Sequence, residues 1–327
     1  MAVGKVGGGT QGLAPARGLL RSALLGASRS ERLRHTVERL PLTRDVVARY
    51  VAGTEQSDAV RVAGELAGEG LAVTIDYLGE DTRDRAQATT VAQQYVSLLE
   101  ALHKAELAPD VEVSVKLSAL GRTLPADGTA IALENAQQIC QAAADAGTTV
   151  TLDMEDHTTT DATLDVLRNL RADFPSVGVV LQAQLKRTEA DCRDLAYEGS
   201  RVRLCKGAYD EPESVAFRDR GEVDRSYVRC MKVLFAGDGY PMIATHDARL
   251  VEIAGSLAAR HRREQGSYEY QMLYGLRSRE QRRLVRAGER VRVYVPYGPE
   301  WYAYLVRRLA ERPANLGFLL RSVASSK

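Results

Sequence analysis

Two adjacent arginines, Arg307 and Arg308, sit in a run from Trp301 to Arg312 whose residue types could grip a carboxylate. If the run is helical, Tyr304, Arg307, Arg308 and Glu311 share one face, because positions three and four apart are neighbours on a helix. Paired planar guanidiniums beneath a phenol form a fork that matches a carboxylate, where a lysine offers only a point charge. The same pattern also fits an amphipathic surface helix with a solvated charge stripe. The preceding segment, Val291 to Gly298, favours the functional reading. It reads as a buried strand ending in a turn, so the helix starts close to a strand's C-terminal end.

Other polar residues interrupt apolar runs. Lys116 stands between Val115 and Leu117, so it is expected to face inward, at a cost unless paired. Asp153 is its natural partner, although it also fits a helix N-cap. Gln182, Arg203, Lys206, Thr245, His246 and Tyr294 fall within or at the ends of similar runs. His246 alone would fit a satisfied core histidine. Gly207 fits a simple turn, or a backbone that must approach a phosphate closely. Taken together, these residues would burden one surface with charge unless a ligand neutralised it. A lysine inside a strand could also form a Schiff base, which would make the chain an aldolase-type lyase. A barrel that merely binds an acidic metabolite is the non-catalytic alternative.

These residues need elements to position them. Eight short runs rich in Val, Ile, Leu or Tyr read as buried strands: Leu71–Tyr77, Glu112–Ala119, Thr148–Asp153, Val177–Gln184, Arg201–Lys206, Met242–His246, Tyr268–Leu273 and Val291–Val295. Amphipathic helical patterns separate them, at Asp81–Ala108, Asp127–Ala146, Asp161–Asp173, Glu189–Glu198, Val223–Ala236, Ala248–Gln265 and Ser278–Ala287. The alternation predicts an α/β fold, a (βα)8 TIM-type barrel with N-terminal helices, with an open doubly wound sheet as the competing topology. No Gly-x-Gly-x-x-Gly follows any strand, which counts against the open sheet. Residues 1–66 are expected to form a flexible N-terminus and helical lead-in, with Asp45–Val51 and Ser57–Leu66 as candidate helices, and residues 67–327 the barrel. In such a barrel chemistry gathers at the C-terminal ends of the strands, where the polar residues above fall.

With those residues placed, the chain resembles the proline dehydrogenase family. The likeness rests on VSVKLSALG (113–121), TLDMED (151–156), VLQAQLKR (180–187), RVRLCKGAYD (201–210), ATHD (244–247), YEYQMLYGL (268–276), RVYVPYG (292–298) and YLVRRLAERPAN (304–315). These motifs are collinear and cover roughly residues 70–321. The resemblance implies non-covalent FAD over the C-terminal rim and oxidation of L-proline to Δ1-pyrroline-5-carboxylate by hydride transfer to flavin N5. Electrons would pass to a membrane quinone reached by peripheral contact. By the same resemblance Arg307, Arg308 and Lys116 hold the substrate carboxylate, and Tyr294, Tyr304 and Leu273 surround its ring. Asp153 and Arg203 carry over as catalytic residues, Arg203 beside the reactive edge of the flavin. Met154, Gln182, Cys205, Lys206, Gly207, Ala208, Thr245 and His246 align with cofactor contacts. Cys205 departs from a more usual aliphatic residue, and Asp210 follows a motif where larger residues also occur. A preference for hydroxyproline or another ring amine stays open, as does the role of Glu311.

Composition narrows the classes further. With 44 basic and 43 acidic residues the net charge is +1, so no global field favours nucleic acid. No apolar run approaches the ~20 residues of a membrane span. The N-terminus lacks the apolar core of a secretory signal. Cys140, Cys192, Cys205 and Cys230 are widely spaced without metal-ligand patterning. A reduced, cytoplasmic protein with no metal site is expected.

Overall fold

Alternating apolar runs and aspartate- or glycine-marked turns produce eight parallel strands, each followed by a helix. The structure, a computed structural model, describes residues 47–79 and 82–311, with side chains up to Val306. A helix α1 (Gln56–Gly68) precedes β1 (Ala72–Tyr77). Then follow α2 (Arg85–Lys104), β2 (Val111–Val115), α3 (Gly128–Ala146), β3 (Val150–Leu152), α4 (Thr160–Asp173) and β4 (Gly178–Gln182). The series continues through α5 (Thr188–Leu195), β5 (Arg201–Cys205), α6 (Arg220–Ala236), β6 (Tyr240–Ala244), α7 (Ala248–Arg260), β7 (Glu269–Leu273), α8 (Ser278–Arg286) and β8 (Val291–Tyr297). The strands close in sequence order, with β8 returning to β1 through Tyr294↔Thr74 and its neighbours. Closure is what separates this fold from the open sheet. The barrel unit spans Ala52–Pro299, while helix α9 (Trp301–Glu311) belongs to a second unit and is described by itself.

Aspartates start several of the helices. Asp84, Asp219 and Asp247 accept the amides of Gln87, Glu222 and Arg249, satisfying donors that the first helical turn leaves unpaired. The predicted candidate Ser57–Leu66 falls within α1. Asp45 and Val46 of the candidate Asp45–Val51, and residues 1–46 of the lead-in, lie outside the described residues. The predicted second to sixth strands overrun their observed C-terminal ends by one to four residues, whereas β8 runs two residues beyond its predicted end. Lys116, Asp153, Lys206 and His246 therefore stand just past β2, β3, β5 and β6, on the rim.

Alternation assigns each strand two faces. Val111, Val113 and Val115 join one apolar cluster with Leu98, Leu99 and Leu102 of α2, and each buried leucine contributes about 1.5–3 kcal/mol. The other face points into the barrel, and much of it is charged. Glu269 is fully buried and accepts Arg292 Nε at 2.7 Å and Gln271 Nε2 at 2.6 Å. Glu112 meets Arg201 Nη2 at 2.5 Å, Arg203 Nη2 at 3.3 Å and Arg292 Nε at 3.8 Å. Burial alone would raise both carboxyls. The facing arginines override it, holding Glu112 below its usual value and Glu269 down to about 2.

This layer makes the fold acid-sensitive. Glu269 titrates near 4.5 when exposed and near 2 when folded. Its stabilisation is therefore complete above the unfolded value and is lost as pH falls through the folded one. Urea titrations at neutral pH and near the folded value are expected to show this loss, and Glu269→Gln is expected to lessen it. Equal acid sensitivity in that variant would contradict the assignment. Among the described residues no helix is long and apolar enough to cross a membrane.

Candidate active site

Above the arginine–glutamate layer, donors from three strands converge on one carboxylate past a fourth. Asp153, one residue past β3, receives Ser114 Oγ at 2.7 Å, Arg203 Nη1 at 2.8 Å and Tyr294 OH at 2.7 Å. Lys116 Nζ lies 3.8 Å from Asp153 but only 2.7 Å from Asp76 on β1. The expected Lys116–Asp153 pair is thus shared with a nearer acid. Burial pushes the Asp76 carboxyl up, Lys116 opposes that, and Asp153 adds to it. Burial also drives the Tyr294 phenol well above its usual value, and the adjacent Asp153 reinforces the effect. Tyr294 is consequently a hydrogen-bond donor, not a source of charge.

Arg203 ties the layers together. It also donates to Ser114 Oγ at 2.9 Å and lies over the Tyr294 ring at 5.4 Å from its centroid, a cation–π geometry. Its Nε is buried with no hydrogen-bond partner among the described residues. A buried donor without an acceptor costs stability, so an acceptor atom placed there would be bound well.

Gln182 closes the neighbouring rim. Its amide donates to the carbonyls of Met154 at 3.2 Å and Glu155 at 2.6 Å, fixing the loop after β3 against β4. Cys205, at the end of β5, has its thiol raised by burial to about 11 and stays protonated near neutral pH. Next to it Lys206 Nζ meets Asp224 at 2.5 Å and Asp247 at 3.5 Å. Arg249 bridges the same two acids at 3.3 and 2.9 Å. Gly207 has φ +101°, and an added Cβ would lie 2.4 Å from Gln184 Cδ. Ala208 continues this loop. Between the end of β7 and the loop after β6, the Leu273 amide donates to His246 Nε2 at 3.0 Å, so the neutral ring carries its proton on Nδ1. The Thr245 hydroxyl accepts the Asp247 amide at 3.1 Å.

The structure thus gathers Lys116, Asp153, Arg203 and Tyr294 into one network. Met154 and Gln182 lie beside it, and His246 is bonded to Leu273. Tyr304, Arg307 and Arg308 fall in α9, and the side chains of the two arginines lie outside the described residues. Several participants had not been singled out from sequence: Asp76, Ser114, Glu112, Asp224 and Arg249. Asp76 carried the same signal as Lys116, a charge inside an apolar run. Two loop braces were also missed. His157 Nδ1 pairs with Glu211, joining the loops after β3 and β5, and Glu155 accepts the Ser118 amide at 3.0 Å. A groove of about 400 Å³ between α6 and α7 lies on the outer helices. It includes Asp224 and Arg249 but none of the charges converging inside the barrel, so we place the site at the rim network.

The sequence model of the family described as proline dehydrogenase matches residues 59–321. The chain is 38% identical over 281 residues to the proline dehydrogenase of Deinococcus radiodurans, covering 85% of this chain and 90% of that one. The chain belongs to the proline dehydrogenase family. Proline dehydrogenase 1 of Bacillus subtilis subsp. natto is 37% identical, with 86% and 91% covered. The proline utilization A protein of Bdellovibrio bacteriovorus, inactivated by N-propargylglycine, superposes with a TM-score of 0.78 at 23% identity. That match covers 96% of this chain but 38% of the longer protein, and supports the fold alone. Among proline dehydrogenases, then, this chain carries the family's barrel, with the charged network at the strands' C-terminal ends.

Proposed function

We propose that the chain oxidises L-proline to Δ1-pyrroline-5-carboxylate with non-covalently bound FAD and passes the electrons to a quinone. The observation that carries the reading is the Lys116–Asp153–Arg203–Tyr294 network at the barrel rim of a proline dehydrogenase family member. A cytoplasmic enzyme that touches the membrane only at its surface is the setting proposed for the electron transfer. The proposed organisation is a lead-in over 1–66 and a catalytic barrel over 67–327.

Two features fit a flavin. The unpartnered Arg203 Nε offers a buried donor to an acceptor-rich group. The Gly207 backbone holds a conformation that side chains resist, as a loop whose backbone must approach a phosphate requires. Met154, Gln182, Arg203, Cys205, Lys206, Gly207, Ala208, Thr245 and His246 are the residues proposed to hold it. Bound FAD would supply the two-electron acceptor for the hydride leaving the proline ring.

The chain's own residues handle binding and orientation. Arg307, Arg308 and Lys116 are assigned to the substrate carboxylate, since charge-assisted bonds fix a small ring more firmly than shape alone. Tyr294, Tyr304 and Leu273 are assigned to the ring. Asp153 offsets the cations that would otherwise be costly to bury together. The substrate amine must be neutral to give up hydride, and neighbouring cations favour its neutral form. The aldolase alternative loses support from the Asp76 contact: a lysine held 2.7 Å from a carboxylate is a charged donor, whereas Schiff-base chemistry needs a free amine.

Turnover of L-proline with a water-soluble quinone, compared with hydroxyproline, tests the reading; no oxidation of either substrate would remove it. A second expectation concerns the cofactor. Gly207→Ala forces a side chain into the left-handed region and against Gln184, at about 1–3 kcal/mol. Flavin retained per polypeptide after gel filtration is expected to fall at least tenfold. Undiminished retention would exclude the close approach at Gly207.

A further inference from the structure

Lys116, assigned to substrate, stands within reach of two carboxylates, and they are not equivalent. Asp153 already takes three short hydrogen bonds, from Ser114, Arg203 and Tyr294. Asp76 is 1% exposed, and its shortest contact is Lys116 Nζ, at 2.7 Å from Oδ2. Its other oxygen meets the Tyr95 hydroxyl only at 3.4 Å, and that hydroxyl's single proton serves the Ser114 carbonyl at 2.9 Å. Register pairs Asp76 with Ser114, so Lys116 stands two residues nearer the rim. Its side chain keeps 15% exposure above a carboxylate that has almost none.

We propose that Asp76 is a positioning residue for substrate binding: it is the counter-ion that holds the Lys116 ammonium charged and aimed at the proline carboxylate, leaving Asp153 to Arg203. The proposal rests on the proline-oxidising reading above. The physical reason is competition between acids. Among the described residues, the acid next nearest to Nζ after Asp76 is Asp153, at 3.8 Å. An ammonium drawn there would leave its place at the rim and disturb the carboxylate that holds Arg203. With Asp76 beneath it, the Lys116 ammonium is neutralised from below and stays charged at the rim.

Asp76→Asn keeps the shape and removes the charge. Its KM for L-proline and its Kd for cyclopentanecarboxylate, a ring carboxylate without an amine, are expected to rise roughly 10- to 100-fold, the worth of a hydrogen bond to a charged group. kcat is expected to stay within about threefold, a split that general unfolding would not produce. Asp76→Glu is expected to recover most of the binding. In a Lys116→Met background, Asp76→Asn should add nothing, because its effect runs through the lysine. Unchanged or tighter binding in Asp76→Asn, or full additivity with Lys116→Met, overturns the proposal.

One arm needs neither substrate nor an Asp76 variant, and so separates failure here from failure of the proline reading. In Lys116→Met the Asp76 carboxyl must ionise without its ammonium, facing Asp153, Tyr95, Tyr294 and Tyr297. Its folded value then lies further above its unfolded value, so the folded state holds a proton that the unfolded state has released. The stability deficit relative to wild type is therefore expected to grow as pH rises from about 4 to about 8. A deficit independent of pH overturns the Asp76–Lys116 pairing, whatever the substrate proves to be.

Discussion

Replacing Arg203 with Met is expected to lower stability by on the order of 3 kcal/mol and to cut proline oxidation at least a hundredfold. Arg203 is 4% exposed, and its guanidinium touches β1, β2, β3 and β8 through Thr74, Glu112, Ser114, Asp153 and the Tyr294 ring. Methionine fills part of the volume but leaves two acids with less compensation. Glu112 retains Arg201 at 2.5 Å, so most of the cost should fall on Asp153, which keeps Ser114 and Tyr294 but loses its nearest cation. Arg203→Lys should recover part of the stability, because one ammonium cannot span Asp153 and Glu112 together. Urea titrations would measure the first effect and steady-state turnover the second. A change below about 1 kcal/mol would mean that the network tolerates the missing charge.

The second large effect concerns the arginine pair. Arg307→Met or Arg308→Met is expected to raise KM for proline at least thirtyfold, from the 2–5 kcal/mol that loss of a buried charged contact costs. Flavin should remain bound, since the residues proposed to hold it lie on other elements. The distinction matters: a lost carboxylate grip appears in KM, whereas a damaged cofactor site appears as colourless protein. Unchanged proline kinetics in both variants would remove the carboxylate role of this helix.

The barrel was legible because its strands are buried on their outer face. Runs such as Leu71–Tyr77 and Val291–Val295 announce themselves, and glycine or aspartate punctuates the turns. Strand ends were less legible. Alternation continues past the last ladder hydrogen bond: Leu117 and Ala119 are buried, although β2 ends at Val115. Helix ends overran for a related reason. The pattern from Ala248 reads on to Gln265, but α7 stops at Arg260. Arg262 then turns at φ +52°, and the Arg263 guanidinium binds the carbonyls of Leu234, Phe235, Gly237 and Gly239.

The site was legible in part. Lys116, Asp153, Arg203 and Tyr294 drew attention as polar residues in apolar surroundings, and they do meet. Glu112, Glu269 and Arg292 did not, because a charged residue at alternate strand positions ordinarily faces water. Only closure of the sheet turns that face inward, and closure is a property of all eight strands, not of any one run. Asp76 was within reach of the same rule that found Lys116. Its partnership was not, since the choice between Asp76 and Asp153 is made by register and by the donors that Asp153 already holds.

The rim is proposed to seat a flavin which L-proline reduces. This proposal is tested most directly by the visible absorbance spectrum of the purified protein, before and after adding L-proline without oxygen. The expected result is a yellow protein whose oxidised flavin band bleaches on addition of proline and returns on addition of a quinone. A colourless protein that cannot be reconstituted with FAD, or a flavin band that proline leaves intact, would contradict it.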